Sequence, residues 1–497
     1  MRQIKQIIHK NWHGLDVRHR KHFLHNITIG LVLMFLLLAF GYHFSWMESI
    51  DNIAFDMLQK TETWCHENIS SKNPHKKLYP TISKIIYPSA KAITQENSGL
   101  HFIDISSEDY KKWNSPLVTP RHELARIVTD VAVKKPHIIF LDVFLAPATI
   151  YTDQHLSVPV DKHGDDALKS ALIALKNTSN VPYIILPTAL DEEGNPKQTI
   201  MDDLVDNRRI FYALPDTLQT DSDKTFRYWK LYDMAQGNDS QKPYPVWSVP
   251  LLTAVLSEGK LKELQKIASE IQEHAQQINN GKNVQGRSAT ITLAGQQVTI
   301  PYPQKETTKN DEGRKISKIL PPENRELTYV QRIRYQLVPD TTAAVRYDSN
   351  HLKEDLPDLK KKIAVIGTSA PEAEDIKETP VGKIPGMYVM GSAIHTLLSG
   401  QRPSTPPLGF TIAYVSIIIL ISAIAFTVLD NIAASVLLSI VIILIFLVPS
   451  WYLYIRDGWF INVYLPFVVM NLYALYYDIK ESLLNKGCRG KKEKTNV

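Results

Sequence analysis

Cysteine is almost missing. The 497 residues contain two, Cys65 and Cys488, near opposite ends of the chain, so there is no disulfide framework and no paired-cysteine redox or zinc motif. Cys65 beside His66 has no further ligand at metal-site spacing, and no metal is expected. Glycine is sparse and scattered, with Gly99, Gly164 and Gly367 standing alone, so no loop is built to cradle a phosphate. No Walker loop, dinucleotide fingerprint, nucleophile elbow or His-Glu-x-x-His sequence occurs. The expectation is a non-enzyme with no catalytic residue and no cofactor. Gly/Ser-rich and Pro-rich linkers are missing too, so nothing cuts the long middle of the chain into separate domains.

What is present is an uneven spread of apolar residues. Hydrophobic types make up 44% of the chain, and they concentrate in four runs, at residues 27–46, 409–429, 433–455 and 460–478. Each run approaches the roughly 20 residues a helix needs to cross a hydrocarbon core, which predicts four transmembrane α-helices. Basic residues flank them: Arg2, Lys5, Lys10, Arg18, Arg20 and Lys21 in the tail 1–26, and Lys480, Lys486, Arg489, Lys491, Lys492 and Lys494 in the tail 479–497. The positive-inside bias then predicts a multi-pass protein of a bacterial inner membrane, with both tails cytoplasmic and residues 47–408 periplasmic. On this topology the two cysteines lie on opposite sides, and the basic tails meet membrane lipids, not nucleic acid. The clustered runs hold no charged residue at their centres, which argues against a proton relay or a charged-substrate transporter.

The long middle segment reads as α/β. Four short apolar runs rich in β-formers, Gly99 to Ile105, His137 to Phe144, Val181 to Leu186 and Lys362 to Gly367, have the continuous character of strands buried on both faces. Helical patterns lie between and after them, at Pro120 to Val133, Asp165 to Lys176 and Met387 to Leu398. Pro120 suits a first helical turn, with Thr119 as its N-cap. This predicts a largely parallel sheet with flanking helices. Residues 258–330 read as an inserted subdomain: a charged helix over 256–280, then Ser288 to Pro301 alternating around a glycine like a hairpin, then a loop-like 307–314. Ahead of all this, Ser49 to Lys60 carries Ile50, Ile53, Phe55, Met57 and Leu58 at mixed spacings and predicts a helix leading into the domain.

Several blocks resemble the second class of CHASE domains, the cyclase- and histidine-kinase-associated sensory extracellular domains. At the C-terminal end these are Lys362-Ile363-Ala364-Val365-Ile366-Gly367-Thr368-Ser369-Ala370, Asp375, Thr379-Pro380, Pro385-Gly386 and Ile394 to Gly400. At the N-terminal end they are Phe102-Ile103-Asp104-Ile105, Thr119-Pro120-Arg121 and Ile139 to Phe144. Asp221-Ser222-Asp223 with Arg227 is similar to the family's Asp-x-Asp-Gly segment, with Lys224 in place of the glycine. After Pro385-Gly386 the family carries an acidic residue and a His-Ala pair, where this chain has Tyr388, Met390 and Gly391. Family members continue into a cyclase or kinase; residues 479–497 are too few for such a domain.

Candidate ligand-binding residues follow from strand ends, where open α/β sheets place ligands. Asp104 and Asp142 end the first two strands, and Thr368, Ser369 and Asp375 follow the fourth. Arg121, at the positive end of a helix, calls for a carboxylate neighbour such as Asp104 or Asp142. The resemblance implies a sensory protein that detects an unknown small-molecule or envelope ligand and passes the signal to a separate membrane or cytoplasmic effector, possible as a homo-oligomer. The alternative is a non-catalytic structural or docking subunit of an envelope complex.

Overall fold

Six short runs assemble into one parallel sheet. They are β1 (Leu100–Ile105), β2 (Ile138–Leu141), β3 (Tyr183–Pro187), β4 (Ile210–Ala213), β5 (Arg346–Asp348) and β6 (Ile363–Thr368), in the order β5-β1-β6-β2-β3-β4. Every neighbouring pair is parallel. The computed structural model describes residues 52–63, 99–145, 162–320, 330–404 and 448–459, with short gaps inside these ranges, and parts of 409–421. The chain divides into two compact units, Gln59–Pro403 and a second made of Met1–Leu58 with Ser404–Val497. The sheet belongs to the first.

Both faces of this sheet are covered, which is why its strands read as unbroken apolar runs. One face presents Ile103, Ile105, Ile139, Leu141, Ile184, Leu186, Ala364 and Ile366 to α1 (Arg121–Val133) and α2 (Lys162–Lys176). Helix α1 answers with Leu124, Ile127, Val128 and Val131, all fully buried and spaced to share one face. Each such side chain contributes about 1.5–3 kcal/mol relative to exposure. The other face presents Leu100, Phe102, Ile138, Phe140, Ile185, Phe211 and Val365 to α3 (Val249–Ser257), α4 (Leu261–Asn279) and α5 (Gly386–Leu398). Thr119 is not the cap of α1: Pro120 holds the N-cap position without a side-chain bond, and the Thr119 hydroxyl is 2.8 Å from that of Tyr110.

Antiparallel pieces complete this unit. Strands Leu218–Thr220, Phe226–Lys230 and Val330–Arg332 form a small sheet, and Tyr232–Ala235 pairs with Tyr244–Trp247. Ser288–Leu293 and Gln296–Pro301 form a hairpin whose turn residues Ala294 and Gly295 both have positive φ, 49° and 76°, as a tight two-residue connection requires. The next segment differs from its loop-like reading: Gln304–Lys309 pairs with Lys315–Leu320, because the β-branched Thr307 and Thr308 suit an extended ladder. Residues 310–314 lie outside the described residues.

The helix expected over 49–60 is present in the described residues 52–63; it buries Asn52, Phe55, Gln59, Glu62 and Thr63, whereas Ile53 and Met57 are 54% and 58% exposed. The four transmembrane helices, and the multi-pass inner-membrane topology built on them, are not supported. Among the described residues no helix is long and apolar enough to cross a membrane. The described helix Val448–Asp457 has 10 residues, about 15 Å of rise against roughly 30 Å of hydrocarbon. The runs at 27–46, 433–447 and 460–478 lie outside the described residues.

Candidate functional site

Asp104 sits where the apolar sheet gives way to polar groups. Across the sheet, Arg346, Phe102, Val365, Phe140, Ile185 and Phe211 form one register row. One pleat further towards the carboxyl ends, Asp104 stands between Asp348 of β5 and Gly367 of β6. Alternation puts the Asp104 side chain on the same face as Phe102, the face covered by α5. It is 2% exposed.

A carboxylate in that position has to be fully bonded. Oδ1 accepts the backbone N–H of Ser369 at 3.0 Å, and Oδ2 accepts the Ser369 hydroxyl at 2.9 Å and Arg346 Nε at 2.8 Å. Arg346 Nη2 also pairs with Oδ2. Four donors on one carboxylate make a closed lock joining β5, β1 and the turn after β6. Thr368 closes the same turn: its hydroxyl donates to the Ile105 carbonyl at 2.9 Å and accepts the Ala370 N–H at 3.0 Å. Arg346 is 39% exposed along its side chain, so the lock has one face towards solvent.

Tyr388, on the first turn of α5, packs its ring against Phe102 with centroids 5.0 Å apart. Its hydroxyl is buried within electrostatic reach of Asp104, Arg346 and Thr342; burial, then the Asp104 charge, raise its pKa above the ordinary phenol value, against the pull of Arg346 and Thr342. Burial acts against the Arg346 charge, yet Tyr388 and the Asp104 and Asp348 carboxylates around it hold its proton more tightly than usual. A second carboxylate beside this lock, Asp109, is fully buried and accepts Ser106 N–H at 2.7 Å, the Ser106 hydroxyl at 3.0 Å and the Asn350 amide.

The predicted residues therefore separate. Asp104, Thr368 and Ser369 come together. Asp142 lies at the same edge on the far side of β6, its N–H bonded to the Ile366 carbonyl at 2.7 Å and its Cβ beside Gly367. Arg121 opens α1 and pairs with Asp165 at 3.7 Å. Asp375 lies against Gly386 at the start of α5, where a helix end favours negative charge, and pairs with Lys377 at 2.9 Å. Gly367 is inside β6, not in a turn; a Cβ there would stand 2.9 Å from Met387, so the glycine admits α5 to the sheet. Among the described residues no group of three or more His, Cys, Asp or Glu side chains is placed to hold a metal ion.

A family model of the CHASE2 domain matches residues 29–429. The chain belongs to the CHASE2 domain family. CHASE2 domains are sensory extracellular domains linked to signal transduction. No curated protein and no solved structure matches the chain.

The CHASE2 departures noted in the sequence acquire physical causes. Lys224, at the family's glycine position, has φ of 61°, a left-handed conformation that glycine adopts without strain. It precedes a bidentate pair in which Arg227 Nη1 and Nη2 meet the Asp223 carboxylate at 2.8 and 2.7 Å, and the Arg227 guanidinium holds the Asp223 carboxyl down to about 2. Gly391, at the alanine position, lies over Phe102: an added Cβ would be 2.5 Å from the ring. Met390, at the histidine position, is 2% exposed in the apolar core. In this CHASE2 chain Met390 and Gly391 serve packing of α5 against the sheet. Arg346 escaped sequence reasoning because β5 has three residues, too few to give a period; the alternation in Val345-Arg346-Tyr347-Asp348 was the available signal.

Proposed function

We infer that this protein is a non-catalytic sensor whose CHASE2 domain detects a small extracellular or envelope molecule and passes the signal to a separate partner protein. Membership of a sensory family over residues 29–429 carries this reading. The carboxyl edge of the sheet around Asp104, Arg346 and Ser369 is the favoured place for the ligand, since parallel sheets gather their loops there. The partly exposed Arg346 guanidinium suits a carboxylate-bearing ligand, which it would meet as a planar fork. A thermal-shift panel of small carboxylates, amines and sugars on the full-length protein tests this. A true ligand raises the melting temperature in step with its concentration relative to its dissociation constant, and Arg346→Gln removes the shift. No stabilisation by any carboxylate would count against this reading.

A second reading has one specific observation behind it. The Asp104 carboxylate is saturated by internal donors, as expected of a domain retained for docking in an envelope complex. That version predicts stable capture of a protein partner with no response to small molecules.

A further inference from the structure

Glu62 and Arg334 form an ion pair that the sensory reading does not use, 0% and 1% exposed along their side chains. Arg334 Nη2 donates to Glu62 Oε1 at 2.6 Å and Nε lies 3.1 Å from both carboxylate oxygens. Gln336 Nε2 adds a further bond to Oε1 at 2.9 Å. Arg334 Nη1 reaches Gln401 at 2.8 Å. The backbone joins in: Tyr335 N–H donates to Gln59 Oε1 at 2.9 Å, and Arg334 N–H donates to the Thr396 hydroxyl at 3.0 Å.

These residues have a shared topological meaning. Gln59 and Pro403 are the first and last residues of the unit. Gln59 and Glu62 lie on its entering segment, Gln401 on its leaving segment, and Thr396 on the last turns of α5. The opposite end of α5 carries Gly386 against Asp375, Met387 against Gly367 and Tyr388 against Phe102. One 13-residue helix therefore touches the Asp104–Arg346 edge at its start and the Glu62–Arg334 pair at its end. Ser392, midway, bonds the Leu337 carbonyl at 3.0 Å, fastening α5 to the same segment 333–338.

We propose that the Glu62–Arg334–Gln401 cluster is the domain's output clasp, and that α5 transmits changes at the Asp104–Arg346 edge to it. A buried ion pair is weak evidence for stability but well suited to a discrete made-or-broken state, since neither charge tolerates losing its partner in the core. The physical warrant for coupling is such a two-state element, biased from the other site. The purpose given to the clasp rests on the sensory reading, but its coupling to the edge is measurable with no ligand.

The test uses the full-length protein and its own amides as reporters. Tyr335 N–H is protected by a side chain of the entering segment, so its hydrogen exchange reads the clasp directly. Arg346→Gln leaves Asp104 with only the two Ser369 donors and disturbs the surroundings of Tyr388. Exchange at Tyr335 should then rise at least tenfold while the β2 and β3 amides stay unchanged. In a Thr396→Val background, where α5 has lost its bond to Arg334, the same substitution should have no further effect on Tyr335. No change at Tyr335 in Arg346→Gln overturns the proposal. So does a uniform rise across the whole sheet, or an undiminished effect in the Thr396→Val background. A failed ligand screen with this pattern intact would remove the sensory reading and leave the coupling standing.

Discussion

Gly391 carries the sharpest single-residue consequence. In a helix interior, glycine to alanine ordinarily stabilises by about 1 kcal/mol, yet here the new Cβ would lie 2.5 Å from Phe102 Cζ and 2.6 Å from Cε1. Overpacking of this kind costs about 1–3 kcal/mol, so Gly391→Ala should lower stability by about 1–2 kcal/mol in urea denaturation. Phe102→Leu removes the clashing ring atoms. The double variant should therefore be more stable than the sum of the two single losses predicts, by about 1 kcal/mol or more. Strict additivity would mean that the helix and strand do not meet at this point. At this scale the candidate site was half legible. Asp104 and Ser369 follow from strand-end placement, but Arg346, Tyr388, Glu62 and Arg334 do not, because pairing between residues more than 200 positions apart leaves no trace in local pattern.

Strand β1 shows how an element built for burial acquires a pH response. His101 alternates onto the face of Ile103 and Ile105, is 1% exposed and stacks on Tyr347 at 5.8 Å. Burial, with a smaller effect from the Lys362 charge, lowers its pKa from 6.5 to about 4. Between those values the unfolded chain binds a proton that the folded chain refuses. Stability is therefore full above pH 6.5 and falls as the pH drops towards 4, by about 3 kcal/mol for a gap of this size. Denaturation midpoints from pH 7.5 to 4.5 should show that fall, and His101→Leu should remove most of it. His274, also lowered by burial, keeps a residual slope of the same sign, whereas Asp223, held near 2 by Arg227, titrates below this window. The same element explains what was readable. The runs of β1, β2, β3 and β6 stand out because both faces of the sheet are buried, while β5, three residues long and polar, does not register. The helix at 52–63 was legible as a helix, but the burial of Gln59 and Glu62 was not, because they are buried through hydrogen bonds, which hydropathy does not record.

For the whole molecule, the question raised by the Glu62–Arg334 pair is whether it holds the fold together or fixes one arrangement of it. Removing either partner alone strands a charge in the core, and Glu62→Ala or Arg334→Ala should each cost about 3–5 kcal/mol. Replacing both by apolar side chains of similar volume behaves differently, because the desolvation penalty of two charges disappears together with their attraction. Gln336 Nε2 would lose its Glu62 acceptor, so the fair comparison is Glu62→Leu, Arg334→Met and Gln336→Leu combined; Gln401 is half-buried and can turn to water. This triple variant should be as stable as the parent to within about 1 kcal/mol, or more stable, by urea denaturation of the full-length protein. If it retains stability but the Tyr335 amide no longer responds to Arg346→Gln, the charges serve the arrangement of the entering and leaving segments, not the free energy of folding. A triple variant as unstable as the single ones would instead make the pair an ordinary structural brace. The first outcome is favoured because the surrounding segment already has an apolar core in Ile333, Tyr335 and Leu337, each at most 1% exposed, and a domain so well packed there has little need of an ion pair for stability.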